Sequence, residues 1–266
     1  MRGTQGAAAE RGRTRRVFVT GASSGIGAAL ARHYAARGAT VGVFARRGDA
    51  LEALAAGLPA DRASTYAGDV RDAAALAAAA ADFLGRFGAP DVVIANAGIS
   101  RGTLTEHAAD AKVFRDVLDT NVLGLVHTFQ PFVAPMRSAG GGTLVGISSV
   151  AGFRGLPGAG AYSASKAAAI AYLESLRVEL AGSRVAVVTV CPGYIATPMT
   201  AGNPYRMPFI IGADEAARRI ARAIARRRRF CVVPWPMALV GALLRTLPRP
   251  LYDAAFARAP HKPRQP

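Results

Sequence analysis

Apolar positions in this chain follow two rhythms that alternate along its length. Short, nearly continuous apolar runs rich in β-branched residues stand at 17–20, 40–45, 63–67, 91–95, 143–148, 185–190 and 230–233. Between them lie stretches with helical spacing. The first leads from a glycine turn at 21–27 to about 37, and others follow near 50–56, 73–87, 109–136, 161–179 and 214–229. Continuous apolar strands separated by helices indicate a parallel sheet covered on both faces. The pattern predicts one α/β domain, a doubly wound parallel sheet of about seven strands.

The punctuation agrees with these spans. Gly38 stops the first helix. Asp72 is a candidate cap for 73–87, and Gly140, Gly141 and Gly142 make a turn. Pro131 and Pro135 are expected to end or kink the long helix. In 214–229 acids stand at the start and arginines at the end, which suits the helix dipole.

The two ends of the chain behave differently. Residues 1–16 are Gly, Ala and Arg without an apolar period, and they read as a disordered basic arm ahead of a domain over 17–234. An extension follows over 235–266, where Met237, Val240, Leu244 and Leu247 keep a helical period and Leu239 and Leu243 widen the apolar face. Pro234, Pro236, Pro248 and Pro250 cut it into short pieces, which make poor free-standing helices. The extension is therefore expected to pack on protein, over the substrate pocket or a second subunit. Peripheral contact with a membrane surface, through this face and the flanking Arg245 and Arg249, is the competing reading.

Composition narrows the class. Apolar residues make up 51% of 266 positions, enough for a large core. No run reaches the ~20 apolar residues of a membrane span, and the leading arm lacks a secretory core, so a cytoplasmic protein is expected. Cys191 and Cys231 stand alone, which excludes a disulfide framework; both are expected to be buried and reduced. The four histidines show no metal spacing, and no metal is expected. A net charge of +16 points toward polyanions. Yet only Lys112, Lys166 and Lys262 are lysines, so the excess is arginine in an alanine-rich chain, which looks like coding bias. Without aromatic interleaving or a recognised module, no specific nucleic-acid partner is expected.

Candidate chemistry centres on Tyr162 and Lys166, four residues apart on one face of a helix. A phenol titrates near ~10. A lysine ammonium one turn away favours the phenolate and lowers that value, which makes an acid/base for neutral pH. Gly21, Ser23, Ser24, Gly25, Ile26 and Gly27 form a glycine-rich turn between strand and helix, where backbone approaches a pyrophosphate at a helix N-terminus. After the second strand Ala45 is followed by Arg46 and Arg47, with no carboxylate to hold a ribose. Two guanidiniums there suit a 2′-phosphate and favour NADP over NAD.

With these motifs in this order, the chain resembles the short-chain dehydrogenase/reductase family in its single-domain, Rossmann-like branch, over about 16–200. The motifs are the glycine turn, Asn96-Ala97-Gly98, Asn121, Ser148-Ser149, Tyr162-x-x-x-Lys166 and Pro192-Gly193. The resemblance implies that Asp69 and Val70 hold the adenine. It implies that Asn96, Ala97 and Gly98 line the adenosine ribose and steady the sheet. Pro192, Gly193, Ile195 and Thr197 would hold the nicotinamide carboxamide. Ser149 would bind the substrate oxygen, with neighbouring Ser148 the ambiguity, and Tyr162 would exchange a proton with that oxygen. Lys166 would hold the nicotinamide ribose, and Asn121, at a local helix irregularity, would fix a water relaying protons to Lys166.

The expectation is an NADP(H)-dependent oxidoreductase acting on a carbonyl/alcohol pair, as a homodimer or homotetramer with the Asn121 and Tyr162 helices at the interface. The alternative is an NADP-sensing binding protein without turnover, against which the intact set of four catalytic residues argues. A lid over about 194–212, with Phe153, Leu156, Tyr194, Met199 and the run 203–211, offers mostly apolar walls. These predict an apolar substrate of lipid, steroid or ketoacyl type.

Overall fold

Along β1 (Arg16–Thr20) successive side chains point to opposite faces of the sheet. Val17 and Val19 join Val41, Val43, Ile94 and Val188 in one core layer, and Phe18 joins Phe44, Val93 and Leu144 in the other. A strand apolar on both faces belongs between two layers of helices. The structure is a computed structural model that describes residues 15–203 and 205–264. Residues 1–14 of the expected arm, Pro204 of the expected lid and the last two residues of the extension lie outside them.

After β1 come α1 (Gly25–Ala35), β2 (Thr40–Ala45), α2 (Gly48–Ala56), β3 (Ala63–Ala67), α3 (Ala73–Phe87) and β4 (Val92–Ala95). The second half runs through α4 (Asp110–Leu118), a π-helical turn (Asp119–Leu123), α5 (Gly124–Ser138), β5 (Gly142–Ile147) and α6 (Gly160–Glu179). Then follow β6 (Val185–Pro192), the two-residue β7 (Ile195–Ala196), the short α7 (Pro198–Ala201), β8 (Ile211–Gly212), α8 (Ala213–Ala225) and β9 (Phe230–Val233). The tail adds α9 (Pro236–Thr246) and α10 (Arg249–Phe256).

Seven parallel strands form the main sheet in the order β3-β2-β1-β4-β5-β6-β9. The expected doubly wound α/β fold is the one observed. Helices α1, α2 and α8 cover one face, with Leu30, Leu51 and Ile220 buried there. Helices α3, α5 and α6 cover the other, through Phe83, Phe132 and Leu173. Phe18 sits 4.8 Å from Phe132 and 5.5 Å from Phe83, ring centre to ring centre. Gly42 leaves space for this cluster, since a Cβ there would lie 2.7 Å from the Phe18 and Phe83 rings. Strand order reverses between β1 and β4, which opens a crevice at the carboxyl ends of the strands.

Several local expectations change. Arg16 belongs to β1 rather than to the arm: its N–H donates to Asp91 Oδ2 at 2.8 Å and its Nη1 to the Phe87 carbonyl at 3.0 Å. The helix expected over 109–136 is broken by the π turn and continues to Ser138, with Pro131 and Pro135 inside it rather than at its end. The helix expected over 214–229 stops at Ala225. Arg226 caps it and Arg227 takes a left-handed backbone (φ 47°), so the arginines turn the chain into β9. Asp72 does cap α3, accepting from the N–H groups of Ala74 and Ala75. Cys191 and Cys231 are buried and free. No helix among the described residues is long and apolar enough to cross a membrane.

Candidate active site

The crevice at the carboxyl ends of the strands is a cleft of about 550 Å³. Gly21, Ser23, Ser24, Gly25 and Ile26 form its floor between β1 and α1. Gly21 (φ 67°) and Gly25 (φ 57°) hold backbone that favours glycine. A Cβ on Gly21 would also lie 2.6 Å from the Ala97 Cα, so no side chain fits between the two strand ends. Gly27 is set behind the floor, where a side chain would strike the Gly21 carbonyl and the Asn96 amide. Ser24, the N-cap of α1, makes no side-chain cap bond, and the first turn carries no acid. The free N–H groups of that turn therefore face the cleft as an anion site. These features fit the pyrophosphate of a dinucleotide.

Arg46 and Arg47 leave β2 into solvent at the cleft rim, and Arg47 Nη2 donates to Ser23 Oγ at 3.0 Å. Neither pairs with a carboxylate within 4.0 Å among the described residues. Asp69 and Val70 line the same end. Burial raises the Asp69 carboxyl, but the hydrogen bonds and charge of Arg71 outweigh it and hold the group below its usual value. Ala97 and Gly98 line the cleft as expected. Asn96 also reaches its wall, but its amide is engaged in the sheet, donating to the carbonyls of Thr20 (3.0 Å) and Gly21 (3.2 Å). Pro192, Gly193, Ile195 and Thr197 close the far end.

The proposed catalytic side chains gather where β5 meets α6. Ser148 and Ser149 are adjacent in sequence but separate in use. Ser148 Oγ donates to the Lys166 carbonyl at 2.8 Å and is committed to the fold. Ser149 Oγ accepts from the Ala151 N–H at 3.1 Å and donates to the Pro192 carbonyl at 3.4 Å, and its hydroxyl acts to lower the pKa of the neighbouring Tyr162 phenol. Lys166 is 4% exposed, with its ammonium donating to the Ile147 carbonyl at 2.9 Å and 5.7 Å from the Tyr162 ring centre.

Electrostatics differ here from the expected pull of Lys166 on Tyr162. Burial pushes the Tyr162 phenol above its ordinary value, and only the Ser149 hydrogen bond offsets that. Burial also brings Lys166 down to about 8. With its ammonium occupied by a backbone carbonyl, the lysine does not overcome desolvation of the phenol.

Asn121 lies in the π turn but does not line the cleft. Its Oδ1 accepts from the Ile99 N–H at 2.8 Å, and its Nδ2 donates to the Ile99 carbonyl (3.0 Å) and Ser165 Oγ (2.9 Å). The amide is thus used in tying the β4 loop to α6. Both Asn121 Oδ1 and Lys166 Nζ come within 3.4 Å of a Cβ built on Gly98, so the two polar groups converge behind that glycine.

Tyr162 and Ser149 also line a second cavity, of about 270 Å³. Leu156, Tyr194, Met199 and Tyr205 form part of its wall, as expected. Phe153 does not; it stacks on Phe230 at 6.0 Å and packs against Gly241. Phe209 and Ile210 are exposed, and Ile211 packs against the core.

The remaining wall comes from the tail, which was expected to pack over the pocket or a second subunit, through residues the sequence had not singled out. Phe256, Ala259, Pro260 and Lys262 of the tail lie over the cavity. The tail docks through Met237, which packs on Gly193, and through Arg154, which reaches the Leu247 carbonyl (3.1 Å) and covers the Tyr252 ring at 4.3 Å. Tyr252 in turn donates to the Gly155 carbonyl. Trp235, Leu239 and Leu243 remain outside as an exposed stripe.

Thr200 was also missed. It lines both cavities, and its hydroxyl donates to the Ile195 carbonyl at 2.7 Å. Its signal was the Thr197-x-x-Thr200 spacing of a capping box. For Lys262 the signal was scarcity: two of the chain's three lysines stand within 6 Å of the Tyr162 ring centre.

Comparison with known proteins gives consistent matches. Residues 15–206 match the family model described as short chain dehydrogenase. The chain is 38% identical over 249 residues to an uncharacterized oxidoreductase of Myxococcus xanthus, covering 92% of this chain and 97% of that protein. A short chain dehydrogenase/reductase from Burkholderia phymatum, in complex with NAD, superposes with a TM-score of 0.79 at 25% identity, covering 95% and 98% of the two chains. An alcohol dehydrogenase from the archaeon Thermococcus sibiricus, complexed with 5-hydroxy-NADP, gives a TM-score of 0.74 at 27% identity over 83% and 96%. Both cofactor types therefore occur among similar structures.

Proposed function

The chain belongs to the short-chain dehydrogenase family, and from that premise we propose that it is an NADP(H)-dependent oxidoreductase interconverting a carbonyl and a secondary alcohol. One observation carries the reading. Ser149 and Tyr162 stand at the junction of a cleft shaped for a dinucleotide and a second, mostly apolar cavity. A hydroxyl pair at that junction meets a substrate oxygen on one side and the cofactor on the other.

When bound, NADP(H) supplies or accepts the hydride. The chain's own groups handle the oxygen. In reduction Ser149 donates a hydrogen bond to the carbonyl oxygen and stabilises the charge that develops there. Tyr162 transfers its phenolic proton to that oxygen, and in oxidation the phenolate takes it back. Lys166, freed from the Ile147 carbonyl, holds the nicotinamide ribose and supports the phenolate. Asn121 positions Lys166 by fixing the β4 loop against α6, and the open backbone of the π turn is the place for the relaying water. Arg46 and Arg47 take the 2′-phosphate, and Asp69 and Val70 the adenine.

Leu156, Met199 and Phe256 give the second cavity apolar walls, which supports a substrate with an apolar body. Exposed Phe114, Leu123 and Val178, on α4, the π turn and α6, support a homo-oligomer built on these helices. The test is NADPH oxidation across ketones, aldehydes and ketoacyl esters, with NADH beside it. Turnover of at least one carbonyl class, faster with NADPH, is expected. No turnover across the panel, with NADPH bound, would instead favour a binding protein.

A further inference from the structure

The second cavity contains a cation that proton transfer does not require. Beyond α10 the chain crosses back over the carboxyl edge of the sheet. Gly102 and Arg264 form a parallel bridge, and a Cβ on Gly158 would sit 2.8 Å from the His261 Cβ, so this strap lies flat against two loops. Its end is pinned by charge. Arg264 donates from Nε and Nη2 to the two oxygens of Asp110, both at 2.9 Å, and Asp110 Oδ2 also accepts the Leu104 N–H at 2.8 Å. Asp110 is 3% exposed, and Arg264 holds its carboxyl down at about 2. The pair thus keeps its charges through the neutral range.

Lys262, two residues before this clamp, is directed into the cavity. Its ammonium donates to Ser100 Oγ at 2.6 Å and lies 5.9 Å from the Tyr162 ring centre. Burial pulls its pKa below the ordinary lysine value. Among the described residues no carboxylate pairs with it, and neither Asp nor Glu lines the cavity. Arg206, on the exposed lid, is the other cation there. A desolvated ammonium facing apolar walls with one hydroxyl partner is unfavourable until an anion joins it.

We propose that Lys262 is the anion-recognition residue of the substrate site. The substrate is then a compact hydroxy or oxo carboxylic acid whose carboxylate pairs with Lys262 while its carbinol or carbonyl carbon lies at Tyr162 and Ser149. One ammonium and one hydroxyl suit a monoanionic carboxylate. A cavity of about 270 Å³ lies just below the ~300–1,000 Å³ of small-molecule pockets, which fits a compact acid. The inference rests on the oxidoreductase reading above for the reacting end of the substrate, but not for the anion site.

The test pairs each oxo acid with its methyl ester, using 4-acetylbenzoate and levulinate with NADPH, in the full chain and in Lys262→Met and Lys262→Arg. Ternary binding of each probe is followed beside turnover. Acids are expected to exceed esters in kcat/KM. Lys262→Met should lower kcat/KM for the acids about ten- to a hundredfold, the range of a hydrogen bond to a charged group. The change should fall mainly in KM, with NADPH affinity and ester turnover within a few-fold and partial recovery in Lys262→Arg.

Acids and esters turned over equally by the unmodified protein would overturn the proposal and leave the oxidoreductase reading standing. Equal losses for acid and ester in Lys262→Met would also overturn it, showing that Lys262 acts through Tyr162 or through packing. Lys262-dependent binding of acids without turnover of any carbonyl would support the anion site and defeat the reading it was joined to. Neither turnover nor Lys262-dependent binding defeats both.

Discussion

Replacing Arg46 and Arg47 together with glutamine tests cofactor choice with little disturbance to the fold. Both side chains are exposed at the cleft rim, and among the described residues neither pairs with a carboxylate within 4.0 Å. Their removal therefore leaves no buried charge behind. Hydrogen bonds to a charged group contribute roughly 1.5–3 kcal/mol each. Exposure and salt place these two at the lower end, because screening acts over ~8 Å at physiological ionic strength. Two contacts of about 1.5 kcal/mol give about 3 kcal/mol, or on the order of a hundredfold in the NADPH dissociation constant. Arg47 already donates to Ser23 Oγ, so part of its bond is an exchange, and Arg46 is expected to carry the larger share. NADH has no phosphate at that position and should change less than about threefold. Titration by nucleotide fluorescence or calorimetry at fixed salt measures both constants. Equal affinities for NADPH and NADH in the unmodified protein, or parallel losses in the double variant, would refute the assignment.

Tyr162→Phe keeps the ring and removes the proposed proton donor, so turnover should fall ~100-fold or more while NADPH binding holds within a few-fold. Activity above about a hundredth would remove Tyr162 from that role. Lys166 gives a pH test with a definite sign. Its folded pKa, about 8, lies below the ordinary 10.5, so between these values the unfolded chain binds more protons and stability rises with pH. At 1.36 kcal/mol per unit the full rise is up to ~3 kcal/mol. Urea melts of the cofactor-free protein across that window should show it, and Lys166→Met should flatten it. Identical pH profiles for the two proteins would contradict a buried lysine with a depressed pKa.

The parts of the fold that were legible are those where one rhythm fixes the answer. Residues 40–45 and 230–233 are short apolar runs, and they form β2 and β9 over those spans. The α3 helix begins at its Asp72 cap. What was not legible depends on contacts distant in sequence. The π turn adds a residue inside a continuous helical pattern at Asn121, where only the family resemblance implied an irregularity, and the buried Asn121 is bonded to Ile99 and Ser165. The helix rhythm cannot report that extra residue. Asp110 reads as an ordinary acid in the first turn of a helix, yet its partner Arg264 is 154 residues away. Ser148 and Ser149 look equivalent until the Lys166 carbonyl claims one of them.

The same distinction separates cofactor chemistry from substrate choice along the chain. The family match ends at residue 206, and the proposed catalytic residues and the dinucleotide cleft lie within it. Phe256 and Lys262, which close the second cavity, lie beyond it. They are held by contacts that involve no catalytic group: Arg154 with Tyr252, and Arg264 with Asp110. A change in the strap can therefore alter the charge and shape presented to the substrate while Ser149, Tyr162 and Lys166 keep their places. The two parts meet along a shared wall of Ser149, Tyr162, Gly193, Met199 and Thr200, and Lys166 and Lys262 stand 5.7 and 5.9 Å from the Tyr162 ring centre. Motifs in the first 200 residues indicate how the oxygen is protonated, whereas the group recognised beside it is set by a tail that only the folded chain brings to the site.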